Sequence, residues 1–104
     1  MMVGQKSVAA AQAALSNVQM VRAALMRYPA ASPSNEFPGD MDIYDYSTLR
    51  QVLADTNLPP DMTELMWDTA HGITYRSDGY TFTFEARALS GETITATPGG
   101  VTKN

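Results

Sequence analysis

Tyr75-Arg76-Ser77-Asp78-Gly79-Tyr80-Thr81-Phe82-Thr83-Phe84-Glu85-Ala86 is the stretch that decides the fold. Apolar and polar residues alternate along it, the period of a strand with one buried and one solvated face. Tyr80, Phe82, Phe84, Ala86 and Ala88 are expected on the buried face, and Thr81, Thr83, Glu85 and Arg87 on the other. Ile73 and Tyr75 alternate with Thr74 and Arg76 upstream, and Ile94 and Ala96 with Thr93, Thr95 and Thr97 downstream. Asp78-Gly79 and Ser90-Gly91 supply the turns, because glycine accepts the positive φ of a hairpin. The stretch therefore predicts an antiparallel meander over residues 72–98, with an aromatic face that needs a cover.

The cover comes from the other end of the chain. Gln5 to Tyr28 reads as one long helix, rich in Ala, Gln, Leu, Met and Arg. Val8, Leu15, Val18, Val21, Leu25 and Tyr28 recur at the spacing of one helical face. Ser7 is a candidate N-cap, and Pro29 is expected to end the helix, since a proline disfavours helical geometry in the residue before it. At 1.5 Å per residue the helix is roughly 36 Å long. Its halves differ: the C-terminal half carries the large apolar residues, whereas SVAAAQAAL (residues 7–15) carries small ones. Ala9, Ala10, Ala13 and Ala14 lie beyond the expected reach of the strands and form a candidate assembly face, since small side chains permit close backbone approach.

Between helix and meander, residues 29–71 read as a loop with short helices. PAASPSNEFPGDMDIYDY (29–46) is broken by proline and glycine. A short helix follows over Ser47–Asp55, with Ser47 as its N-cap and Leu49, Val52 and Leu53 as its apolar side. Asn57-Leu58-Pro59-Pro60 breaks it, and Asp61–Met66 makes one more turn entered at Pro60. The whole, 1–104, is expected to be a single α+β domain: a long helix on a three- to four-stranded antiparallel sheet.

Composition restricts the function. A net charge of −4 argues against nucleic acid as a partner. The lack of cysteine excludes disulfides, thiolate metal sites and thiol nucleophiles. His71 stands alone, and no phosphate-binding glycine loop, paired-histidine spacing or nucleophile elbow is present, so an enzyme is not expected. Asp40, Asp42 and Asp45 crowd into GDMDIYD, oxygen ligands of the kind calcium takes; a solvated acidic turn is the plainer reading, and no other cofactor is expected. Tyr44 and Tyr46 sit in the same loop as candidate surface contacts, tyrosine being enriched at interfaces. Tyr80, Phe82 and Phe84 alternate as a core does, which explains them without a conducting aromatic chain. No apolar run nears the roughly 20 residues of a membrane span, and no signal peptide is evident.

The long helix ending at Leu25-Met26-Arg27-Tyr28, the Asn/Pro/Gly loop, the Tyr-turn-Tyr/Phe strand pair of 75–86 and the close on Ile94-Thr95-Ala96-Thr97-Pro98-Gly99-Gly100-Val101 resemble the globular domain of a type IV pilin or type II secretion pseudopilin. The resemblance spans roughly the whole chain and is most specific over 15–28 and 73–101. It implies a structural filament subunit acting by assembly in the periplasm or at the cell surface of a bacterium, with other pilin subunits as partners. Two departures stand out. The apolar N-terminal segment of that family is missing, which implies either truncation or the large subunit of a split pilin whose separate short chain supplies the apolar helix and the membrane anchor. The cysteine pair of many adhesive pilins is also missing. The alternative reading is a soluble helix-on-sheet binding module.

Overall fold

The computed structural model describes residues 2–53, 58–59 and 62–104, with side chains of the first helix described from residue 9 and those of 62–63 left out. Asp55, Asn57, Pro60 and Asp61, to which the sequence assigned a helix end, a break, an entry and a turn, lie outside the described residues.

Helix α1 spans Met2–Ala31 and α2 spans Tyr46–Leu53, followed by a single 3-10 turn, Met62–Leu65. Four strands complete the chain: β1 Ile73–Ser77, β2 Phe82–Arg87, β3 Thr93–Thr97 and β4 Gly100–Lys103. They form an antiparallel meander in the order β1-β2-β3-β4. The expected α+β arrangement of a long helix on an antiparallel sheet is therefore present, with four strands. Pro98 and Gly99 do not close the chain. They make the turn into β4, because the register places Thr97 opposite Gly100.

α1 runs past Pro29 rather than ending before it. A proline so near the C-terminus forfeits a single ladder bond, while Ala24 and Leu25 are buried and hold that turn against the core. The Ser32 N–H then donates to the Pro29 carbonyl at 3.2 Å.

The helix packs over β3 and β4. Ala11, Ala14, Val18, Val21 and Leu25 form its buried series, spaced three and four residues apart as one helical face requires. Arg22 ties the helix to the sheet. Its Nε donates to the Thr97 carbonyl at 2.7 Å and its Nη2 to the Pro98 carbonyl at 2.7 Å, gripping the β3–β4 turn.

The other half of the aromatic face has a different cover. Phe82 meets Phe37 edge to face at 4.9 Å between ring centroids and stacks on Tyr75 at 6.3 Å. Phe84 meets Trp67 at 5.7 Å. Trp67 is fully buried; its indole N–H donates to the Ala14 carbonyl at 3.2 Å and its ring meets Tyr46 at 6.1 Å. Residues 66–68 also extend the sheet beside β2: Trp67 bridges Ala88, and the Leu89 N–H donates to the Met66 carbonyl at 3.0 Å.

Tyr80 departs from the alternation. It is 80% exposed, not part of the core face. The register pairs Ser77 with Phe82, so 78–81 is all turn. The Asp78 carboxylate accepts the Tyr80 N–H at 3.0 Å and the Thr81 N–H at 2.9 Å, an Asx turn that keeps Tyr80 out of the ladder. Gly79 has φ +92°, a backbone conformation that side chains with a Cβ rarely adopt, which favours glycine at this turn.

Candidate functional site

The expected assembly residues separate into two groups. Ala9 is exposed, and Ala10 and Ala13 are half-buried. Ala14 is fully buried beneath Trp67 and cannot belong to an assembly face. Strand length set the expected limit of the cover, but the segment 65–67 extends it: the Asn17 side-chain amide donates to the Leu65 carbonyl at 3.1 Å, and the Trp67 indole reaches the Ala14 carbonyl one turn nearer the N-terminus. Towards the N-terminus the helix continues past this cover. Its 30 residues span about 45 Å within a molecule 51 Å long and only 26 by 20 Å across.

The three aspartates of the acidic loop each bond a different part of the backbone. Asp40 Oδ1 accepts the Ser77 N–H and so occupies an outward donor on the exposed edge of β1. Asp42 Oδ2 accepts the Gly39 N–H at 3.1 Å and closes a turn. Asp45 Oδ1 accepts the Thr48 N–H at 2.8 Å while Thr48 Oγ1 accepts the Asp45 N–H at 3.1 Å, a reciprocal cap on α2. The N-cap of α2 is thus Asp45 and not Ser47. Among the described residues no three acidic or histidine side chains stand together as a metal site, and Asp40, Asp42 and Asp45 each accept a different backbone N–H.

The two loop tyrosines also part. Tyr44 is 71% exposed, as a surface contact requires. Tyr46 is buried, with its hydroxyl donating to the Pro59 carbonyl at 2.5 Å, and is a core residue. Its position as first residue of α2 turns it towards Trp67.

Around the loop the electrostatics are acidic. Burial, with the nearby Asp40 and Asp42 charges, pushes the Tyr75 hydroxyl up to about 12, against an opposing hydrogen bond from Ser77; the hydroxyl donates to the Pro38 carbonyl at 2.7 Å. Two backbone N–H groups hold the Asp78 carboxyl below its ordinary value. At the other end of the sheet, the Ala70 N–H and then His71 hold Asp68 down, with His71 Nδ1 2.6 Å from Asp68 Oδ2. That contact gives His71 a loop-fastening role.

Trp67 and Arg22 are the structurally decisive residues that sequence reasoning passed over. The signal for Trp67 was present: Leu65 and Trp67 alternate around Met66, as a strand does. No helix among the described residues is long and apolar enough to cross a membrane. No family model matches the chain, and no curated protein or solved structure matches it.

Proposed function

We propose that this chain is a structural subunit of a type IV pilus-like or type II secretion filament, acting by assembly and not by catalysis. The observation that carries the reading is the mismatch between the 30-residue helix α1 and strands of 4 to 6 residues. A domain needs no such helix to cover so short a sheet, so the overhang serves something outside the domain. With Ala11 and Ala14 buried, the accessible surface at that end of the helix is carried by Ala9, Ala10 and Ala13 beside the exposed Gln12. They form the face against which a further apolar helix packs, from a neighbouring subunit or a separate short pilin chain. The meander points outward. The resemblance of residues 15–28 and 73–101 to pilin sequences supports the same reading, with a location in the periplasm or on the bacterial surface.

The chain lacks cysteine, so Ala10→Cys introduces a unique thiol. In the isolated protein this thiol reacts freely with a maleimide. In filaments sheared from cells it is protected and, under oxidation, links neighbouring subunits through position 10. Filaments that lack the chain, or a thiol equally reactive in both states, refute the assignment.

A further inference from the structure

We propose that the Asp78-Gly79 link is a site of covalent self-modification, isomerisation of the aspartyl bond to an isoaspartyl bond through a cyclic imide, and that the folded turn holds this reaction back. The inference does not depend on the filament reading.

The chemistry starts from the sequence. Asp78 is the only aspartate or asparagine in the chain that a glycine follows. Glycine carries no Cβ to crowd its own nitrogen or to restrict the backbone as it bends towards the preceding side chain. The Gly79 nitrogen attacks Cγ of Asp78 and gives up its proton, the protonated carboxyl loses its hydroxyl as water, and the imide ring closes. Water then opens the ring. Addition at Cγ restores aspartate. Addition at the main-chain carbonyl leaves the chain running through Cβ, with the former main-chain carbonyl carbon as a free carboxylate. One water leaves and one returns, and nothing is oxidised or reduced.

Ring closure needs a neutral carboxyl as electrophile and a free amide nitrogen as nucleophile, and the turn withholds both. Asp78 Oδ1 accepts the Thr81 N–H at 2.9 Å and the Tyr80 N–H at 3.0 Å. These bonds favour the charged carboxylate, from which no hydroxyl leaves as water, and they hold the carboxyl below its ordinary value. The Gly79 N–H donates to Ser77 Oγ at 3.0 Å, so its proton is engaged. The Glu36 carboxylate lies against Gly79, and its charge opposes the negative charge that the nitrogen gathers as its proton leaves. The hairpin requires glycine here for its φ of +92°, so the fold brings in the labile pair and then restrains it. Modification would act locally. An isoaspartyl link adds a methylene to the main chain inside a turn whose register pairs Ser77 with Phe82. The same turn fastens loop 36–45, since the Gly79 carbonyl accepts the Phe37 N–H at 3.0 Å and Asp40 accepts the Ser77 N–H.

The test incubates the full chain at neutral pH, folded in buffer and unfolded in guanidinium chloride, and follows isoaspartate by proteolysis and mass spectrometry. Isoaspartate is expected at position 78 in the unfolded chain. In the fold it should form on the order of a hundredfold more slowly, the factor that the three hydrogen bonds on Asp78 and Gly79 supply at ordinary net strength. Ser77→Ala should raise the folded rate about fivefold and leave the unfolded rate unchanged. Ser77→Thr, which keeps a hydroxyl, should restore the parent rate. The isomerised protein should exchange the Phe37 amide faster than the parent. Equal rates in the two states, no isoaspartate at 78 in the unfolded chain, earlier isoaspartate at another position, or a folded rate indifferent to Ser77→Ala would each overturn the proposal.

Discussion

At the scale of single residues, Tyr80 and Phe82 make the sharpest contrast. They stand two apart in an alternating run, and alternation assigns both to the core. Phe82 is buried between Phe37 and Tyr75, while Tyr80 projects from the turn. Phe82→Ala is expected to cost about 3–5 kcal/mol. Tyr80→Ala is expected to stay within about 0.5 kcal/mol of the parent. Denaturant midpoints of the two variants measure the difference, and equal losses would contradict the turn assignment. Charge at single residues sets the pH limits. Asp68 and Asp78 are held below their ordinary value of 3.8 in the fold. Their contribution is thus present above that value and is lost as pH falls through the lowered folded values. Asp78→Asn keeps the acceptor oxygen but cannot titrate, so its melting temperature should fall less steeply with acid than the parent's. Tyr75 has the opposite sign. Its hydroxyl is raised from 10.0 to about 12, so the stability it contributes is complete below pH 10 and disappears between there and about 12. Tyr75→Phe should flatten that alkaline limb in a melting series.

Among the elements, the helix-to-sheet join and the cap of α2 are both carried by polar side chains on otherwise apolar surfaces. Arg22 donates to two carbonyls of the β3–β4 turn. Hydrogen bonds from a charged donor are worth about 1.5–3 kcal/mol each when lost, with the lower figure apt for a half-buried side chain. Arg22→Ala should therefore destabilise the protein by about 3 kcal/mol and speed amide exchange in β4 more than in β2. Uniform acceleration would mean that the grip is not local. Asp45 holds α2 through its cap with Thr48. Asp45→Ala should cost about 1 kcal/mol, read from the midpoint, with Asp45→Asn recovering most of it. That pattern separates a cap from a metal ligand, because Asn supplies the same acceptor geometry without the charge.

The whole molecule is an elongated body, 51 by 26 by 20 Å, whose core lies along only part of its longest element. One apolar cluster runs from Ala14 through Trp67 and Phe84 to Ile94, and the helix continues beyond it. This asymmetry underlies the assembly reading. Ala9→Arg is expected to leave the melting temperature of the isolated domain unchanged, because Ala9 is exposed, and to abolish filaments. Ala14→Arg is expected to unfold the domain, because it forces a charge under Trp67. A domain that tolerates Ala14→Arg would show that the cover over this turn is loose. The acidic end, at the opposite extreme of the helix, gives the molecule a second and chemically different surface.

Much of this fold was legible in the chain. The two-residue period fixed which faces of β2 and β3 are buried, since register in a half-buried sheet follows side-chain polarity. Gly79 and Gly91 marked the turns through their need for positive φ, and the apolar spacing from Val18 to Leu25 marked the helix face. What the sequence left open is whatever depends on a partner remote along the chain. An alanine is compatible with core or surface, and Trp67 decided the matter for Ala14, 53 residues away. Tyrosine is amphipathic, so Tyr44 and Tyr46 went opposite ways once α2 began at Tyr46 and turned it towards Trp67. Three aspartates in a row of six resemble a ligand set, and only the fold shows that each accepts a different backbone N–H, one of them from a strand 37 residues away. Local periodicity is a property of the chain itself, whereas the burial of small and amphipathic residues is decided by the element that reaches them.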